Sequence, residues 1–476
     1  MWNCTTIIGE DMALNFKLKN IGPIGEADIE LGDLTIICGE NNTGKTYAAY
    51  AVFGFLRCWE DILQTILTKE ISDGTILCTE YGLDTNGSFS GKINEYLSKI
   101  AGIFQSKLQG VFSTRHSFGT SLVVPFVDQE TAFSISNVGI NATLGSPEGG
   151  QHNRLEWHRD SGILTISNRD YPHWEWSAAL AINRIVFAPV LPWVHISSSE
   201  RSGISIFRSE LDLARTRRIK AVSEWSAESM ESLPDMVERI RLAHTYAMPV
   251  EYNIESTRGL DANRAYRSWI WKTKPEIQKS IEDIAGGKYR VDERLGPVFQ
   301  SIADGNREFL MKEASSSVRA LHDLGCYLQY LAMPGQLLII DEPELNLHPK
   351  NQRLMARLIA RLVNAGIKVL ITTHSDYIIK EFNVLIMMHQ STKYAKRVQR
   401  ENNYDDEEVL DPTRVRAYTT EVVQPDPNAT AENASRRSIT LKRSSIEPDM
   451  GIEVDTIDDS IADMNRIQDE LLYGGD

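Results

Sequence analysis

Two groups of residues in this chain have the types and spacing to act together on a phosphate. Near the start, Gly39-Glu40-Asn41-Asn42-Thr43-Gly44-Lys45-Thr46 follows the strand-like run Leu34–Cys38 and precedes an apolar-rich helical stretch. Much later, the apolar run Leu337–Ile340 ends in Asp341-Glu342-Pro343. The first group matches GxxxxGK[ST]. Its glycines, Gly39 and Gly44, let the backbone curl through Asn41, Asn42 and Thr43 so that successive N–H groups point at one phosphate. The helix that follows adds the positive end of its dipole. Lys45 would reach the β- and γ-phosphates, and the Thr46 hydroxyl would ligate Mg²⁺. The expected ligand is a nucleoside triphosphate with Mg²⁺.

Such a loop needs an acid at the end of an apolar strand to help hold the metal. Asp341 has that place, and ligands of open α/β sheets bind at the carboxyl ends of strands, so Asp341 and Thr46 should converge there. Glu342 supplies a second carboxylate that could polarise an attacking water. Alone, an Asp-Glu pair after apolar residues could also be a helix cap or a surface loop. Lys45 and Asp341 are 296 positions apart. That gap excludes a compact G-protein, RecA-like or transporter cassette core and requires a large insertion within one domain.

Further pieces lie close to Asp341. "NQRLMARLIARLVNAG" predicts a helix with Gly366 at its C-terminal cap, leading into a second buried strand in "IKVLITTHSDYI". His374 ends that strand, 33 residues after Asp341, where an imidazole could touch the γ-phosphate or position water. Ser316, 25 residues before Asp341, stands in the run Ser315-Ser316-Ser317. These serines should cap a helix whose Leu321, Leu324, Leu328 and Leu331 form its buried face. Upstream, "FKLKNIGPIGEADIEL" predicts two strands joined by the Gly22-Pro23 turn and flanking the phosphate loop.

Composition narrows the setting. The 476 residues suffice for two or three domains' worth of core. No apolar run nears the roughly 18 residues that cross a bilayer, and the N-terminus lacks the basic and apolar regions of a secretory signal; Met12 should open the folded part. Five cysteines are scattered without a CxxC pair, which argues against a zinc site or disulfide framework and for a reducing cytoplasm. The formal charge of −15 argues against a surface that binds DNA throughout, so any nucleic-acid contact needs a local patch. "RSELDLARTRRIK" (208–220) is one such patch, or simply a solvated helix face.

Taken in order, "NIGPIGEADIEL…GENNTGKT", "ASSSVRAL", "LLIIDEPELNLHP" and "ITTHS" resemble the ATP-binding cassette ATPases, in their SMC-like and OLD-like branch. The set is similar to the small cassette ATPases of Septu-type, retron-associated and PARIS-type antiphage defence systems. The matching stretches, about 13–57, 183–210 and 283–390, span roughly half the chain. The resemblance implies an α/β fold: an ABC-type P-loop ATPase head with a large insertion, mixed α/β and then helical, and a short α/β C-terminal extension. It implies that Gly39, Gly44, Lys45 and Thr46 are the Walker A ligands, Asp341 the Walker B acid, Glu342 the catalytic base and His374 the switch histidine. It implies too that Ser315, Ser316 and Ser317 serve the nucleotide of a second subunit, although the family's Ser-Gly-Gly turn here lacks both glycines. Glu344, Asn346 and His348 would lie at that dimer seam. In "FAPVLPWVHISSSERSGI", Glu200 and Arg201 resemble a family stretch near the nucleotide, or form a surface salt bridge.

The implied partners are a second copy or a higher homo-oligomer through the head, and a separately encoded effector, a nuclease. A phage-derived trigger is compatible with that family, and the residues leave open whether nucleic acid is bound directly. The alternative is an SMC-like repair ATPase acting on DNA, against which stand the charge and the lack of heptads long enough for a coiled-coil arm. The expected organisation is head 12–57, mixed α/β insertion 58–182, return to the head 183–207, helical lobe 208–282, head 283–392 and extension 393–476. The aromatics of "YPHWEWSAAL" could pack inside or form a contact surface. In the tail, "RVRAYTTEVV" predicts a strand, 424–438 a flexible segment, and Ile457, Ile461, Met464, Ile467 and Leu471 one face of a last helix.

Overall fold

The computed structural model describes residues 13–79, 82–114, 121–127, 141–144, 153–158, 161–167, 169–170, 172–207, 246–263, 266–292, 295–423, 438–453 and 464–472. The patch at 208–220, residues 221–245 of the expected helical lobe, the segment 424–437 and the apolar positions Ile457 and Ile461 lie outside these. Among the described residues, no helix is long and apolar enough to cross a membrane.

A nine-stranded mixed sheet organises the α/β fold. Its strands are β1 (Leu14–Ile21), β2 (Ile24–Glu30), β3 (Leu34–Cys38), β4 (Leu122–Val127), β5 (Val194–Ser197), β6 (Leu337–Asp341), β7 (Lys368–Thr373), β8 (Val415–Val423) and β9 (Ser438–Arg443). Their spatial order is β5-β6-β7-β3-β8-β9-β2-β1-β4. The neighbours from β5 to β8 all run parallel. In the far half the β8–β9, β1–β2 and β1–β4 pairs are antiparallel, and β9 meets β2 parallel.

The central parallel strands β3, β6 and β7 are mostly apolar because both faces are covered. Leu337 and Ile339 of β6 enter one core, and Leu338 and Ile340 enter the other. On the first face lies α1 (Lys45–Ser72), buried through Phe53, Phe55, Trp59, Leu63 and Leu67. On the opposite face lie α3 (Ser316–Tyr330), α4 (Pro349–Asn364) and α5 (Asp376–Met387); α2 (Met248–Asn263) packs beside β5. α4 starts with Pro349 at its first position, and Gly366 follows it at φ +86°, the left-handed residue its sequence calls for.

α1 continues through the expected boundary at 57/58 as far as Ser72, because its apolar spacing continues. The insertion also gives back a strand, β4, which pairs with β1 at the sheet edge. The rest of the insertion holds a five-stranded antiparallel sheet and helices including Ile93–Phe104 and Trp174–Ile182. Trp174 is half-buried, and Trp176 is exposed. The segment 393–476, which reads in sequence as an extension, supplies β8 and β9 to the middle of the sheet, so that β8 pairs directly with the phosphate-loop strand β3. Met464, Ile467 and Leu471 lie on the helix 464–472 with their side chains exposed.

Candidate functional site

Three adjacent parallel strands, β6, β7 and β3, deliver their carboxyl ends to one edge. The expected site residues lie there: Asp341 ends β6 with Glu342 next, His374 follows β7, and the loop 39–46 follows β3.

The loop has the backbone its glycines permit. Gly39 sits at φ +143°, where a Cβ would strike the Thr420 hydroxyl, and Gly44 sits at φ +88° against Pro23 and Ile24 of the β1–β2 turn. That hairpin therefore flanks the phosphate loop as expected. Asn42 is also left-handed, at φ +63°. The Lys45 ammonium donates to Gly39 O at 2.9 Å and to Glu40 O at 2.6 Å. Of its three donors, one is left for a phosphate oxygen. Burial pushes the Lys45 pKa down against the opposing pull of Glu342, Glu344 and Asp341. Thr43 donates to Glu40 O at 2.7 Å and accepts from the Thr420 hydroxyl at 2.9 Å, so β8 props the loop from the side.

Thr46 and Asp341, 295 positions apart, meet: Thr46 Oγ1 lies 3.1 Å from Asp341 Oδ1. Thr372 of β7 also donates to Asp341 Oδ1. Asp341 Oδ2 is buried with no hydrogen-bond partner. Burial raises the Asp341 carboxyl above its ordinary value despite the hydroxyls of Thr372 and Thr46.

Glu342 and His374 come within reach of each other, with His374 Nδ1 at 3.9 Å from Glu342 Oε1. The same ring nitrogen lies nearer to Glu344 Oε1, at 3.2 Å. Glu344 Oε1 also accepts from the His374 backbone N–H at 2.8 Å and the Thr373 hydroxyl at 2.9 Å. Glu344 is thus a buried anchor for the histidine loop, in addition to its expected place at a seam. Asn346 Nδ2 lies 3.4 Å from Ser202 Oγ, and His348 caps α4 by accepting from the Lys350 N–H at 3.2 Å.

Ser315 caps α3, accepting from the Val318 N–H at 3.4 Å and lying 3.0 Å from Ser317 Oγ. Ser315 and Ser316 are exposed, and Ser317 is half-buried. No hydrogen bond among the described residues joins these serines to the loop 39–46. Leu321, Leu324 and Leu328 are buried as expected, but Leu331 is half-buried, and the helix is enclosed on nearly every side. Arg201 is no surface residue: it is 3% exposed and points into the site. Glu200 accepts from the Tyr50 hydroxyl at 3.0 Å.

Sequence reasoning missed Thr372 and Thr420. Thr372 lies within the quoted "ITTHS", so the hydroxyl-rich strand end was its signal. Thr420 has none, because its contact depends on β8 pairing with β3.

Burial also raises the Glu344 carboxyl, whose Oε2 is buried without a hydrogen-bond partner. A carboxyl raised on folding contributes stability below its unfolded value and loses it as pH rises through its folded value. The nucleotide-free protein should therefore lose stability as pH climbs from the ordinary glutamate value of 4.5 toward neutrality. Glu344→Gln should flatten that slope and raise the neutral Tm by about 1–2 °C, the shift roughly 1 kcal/mol produces in a chain this long. Thermal melts across that range check it; an unchanged slope would assign the pH dependence to other groups.

The protein-family model described as "AAA ATPase domain" matches residues 327–379, a stretch containing Asp341, Glu342 and His374. No curated protein matches the chain. Similar solved structures include an Smc head bound to the C-winged helix domain of ScpA, 11% identical, covering 92% of this chain and 99% of that one with a TM-score of 0.36. Another is a Pyrococcus furiosus Smc head domain with an extended coiled coil bound to the C-terminal domain of ScpA: 12% identical, covering 96% and 100%, TM-score 0.33. A third is the SMC head domain from Thermotoga maritima, 11% identical, covering 91% and 99%, TM-score 0.30. A glycine-rich loop and an acid-tipped strand thus meet at one sheet edge, and the family model described as an ATPase domain matches the stretch that carries that strand.

Proposed function

We propose that the chain is a Mg²⁺-dependent ATPase whose two copies close around nucleotide, and that this closure switches a separately encoded effector, a nuclease, in antiphage defence. The convergence of Lys45, Thr46, Asp341 and Glu342 carries the hydrolytic part of the reading. Thr46 and Asp341 offer the hard oxygen donors Mg²⁺ prefers, and the orphaned Asp341 Oδ2 is an acceptor such an ion would satisfy. When bound, the ion would neutralise charge on the phosphates. Lys45 and the N–H groups of Asn41, Asn42, Thr43 and Gly44 hold the phosphates, Glu342 orients and deprotonates the attacking water, and His374 stands beside it. No partner chain is needed for these roles.

The exposed serines supply the dimeric part. A helix start with two exposed hydroxyls and free N–H groups suits a phosphate. In this chain the serines have no bond to its own phosphate loop. Light scattering tests this: Glu342→Gln protein with ATP and Mg²⁺ should double in mass. Ser316→Asp, which sets an anion where a phosphate is expected, should abolish doubling while ATP binding persists. If Ser316→Asp still dimerises on ATP, the cross-subunit role is wrong.

The defence part is supported by the motif resemblance. Expressed with its neighbouring open reading frame, the wild type should reduce phage plating and Lys45→Ala should not; equal plating sinks it. One observation favours a second reading, direct action on DNA. The helix Lys393–Glu401 exposes Lys393, Lys396, Arg397 and Arg400 on an otherwise acidic chain. Tight, salt-dependent DNA shifts by this chain alone would favour it.

A further inference from the structure

Arg201 is the most deeply buried cation at the site, and all four of its hydrogen bonds go to backbone carbonyls. Its Nε donates to Ala320 O at 2.8 Å, and Nη1 donates to Ser198 O at 2.9 Å and to Asp341 O at 2.6 Å. Nη2 donates to Glu342 O at 2.6 Å. One planar guanidinium thus spans the loop after β5, the first turns of the serine-capped α3 and the end of β6. Burial lowers its pKa against the pull of Asp341, Asp323, Glu344 and Glu342, which surround it without pairing with it directly.

The carbonyl at Glu342 needs such a clamp. Glu342 lies at φ +52°, a left-handed conformation that is strained for a residue bearing a side chain. Two contacts hold it there from opposite sides. Its N–H donates to Thr372 O at 3.1 Å and approaches Thr372 Oγ1 at 3.2 Å, and its C=O accepts from Arg201. Relaxing this φ to a negative value would swing the Glu342 side chain off the direction that sets it beside His374.

We propose that Arg201 is a positioning residue for hydrolysis. Its guanidinium fork fixes the strained backbone of Glu342 and references it to α3, so that the carboxylate is aimed at the attacking water. This rests on the reading of Glu342 as the base. Lysine at 201 would keep the buried cation, but as a single donor centre it cannot fork across Ala320, Asp341 and Glu342.

Steady-state kinetics on Arg201→Lys, Glu342→Gln and the double variant test the idea. Arg201→Lys should lower kcat about 10-fold or more, since a misaimed base loses rate steeply with distance. KM for ATP should stay within about threefold, because the phosphate contacts are untouched. In the Glu342→Gln background, Arg201→Lys should cause no further loss, because there is no base left to aim. An unchanged kcat, or the same fold-loss in both backgrounds, would overturn the proposal. If Arg201→Lys does not fold, hydrogen exchange in the wild type decides: the Glu342 amide must be protected like those of β6, and exchange at loop rates overturns the clamp. Loss of ATP binding in wild type would instead sink the nucleotide-site reading, so the two failures are distinct.

Discussion

Lys45→Ala protein will bind ATP at least about 100-fold more weakly than wild type, a loss of about 3 kcal/mol on the affinity scale. Two consequences of one substitution add here. The ammonium that would meet the β- and γ-phosphates is gone, and charge-assisted bonds of this kind are worth about 1.5–3 kcal/mol each. The loop also loses its internal brace, because Lys45 ties Gly39 O and Glu40 O together. The folded state should survive, since a buried, desolvated cation is removed and the helix keeps its apolar face. Calorimetric titration with ATP and Mg²⁺, alongside a thermal melt, measures both. Wild-type affinity in Lys45→Ala would mean that the nucleotide binds elsewhere.

Glu342→Gln separates binding from turnover. Glutamine keeps the shape and the left-handed backbone but cannot accept the water's proton, so kcat should fall about 10²–10⁴-fold, the range general-base catalysis contributes. ATP affinity should be nearly unchanged, because Glu342 makes none of the contacts assigned to the phosphates. The variant should therefore accumulate in the ATP-bound state, which makes it the right protein for the dimerisation test. Single-turnover hydrolysis measures the chemical step directly, and a wild-type rate there would remove Glu342 from the base role. Comparison with Glu344→Gln is informative. Glu344 anchors the His374 loop through Oε1, so its loss should act by shifting His374 and should be the milder of the two.

The motifs were legible because they are local. A phosphate loop is a consecutive run of residues whose backbone geometry depends on its own glycines, and Gly39 and Gly44 take the positive φ values the pattern demands. Asp341 was readable too, since a short all-apolar run ending in an acid suits a buried strand that reaches a sheet edge, and Leu337–Asp341 is one. The Ser315 cap and the Pro349 and Gly366 bounds of α4 follow from rules confined to a few residues. Beyond the convergence of Thr46 and Asp341, legibility failed where a contact depends on which strands are neighbours, as for Thr372 and Thr420. Arg201 read equally well as a surface ion pair, because nothing beside it in sequence shows that three separate carbonyl-bearing segments close over it.

By itself, then, the sequence picked out the groups proposed to meet a phosphate, a metal and a water, and showed that a long insertion separates them. Tertiary structure decided which strands stand side by side. β6 and β7 come to flank β3 on one side, and β8, from near the end of the chain, flanks it on the other. This order sets Thr46 against Asp341, Thr372 behind both acids and Thr420 under the loop. It also set the conformation of Glu342. A glutamate has no intrinsic preference for φ +52°, and Thr372 and Arg201, from two other parts of the chain, hold its N–H and C=O there. Local chemistry names the groups, and long-range hydrogen bonding aims them.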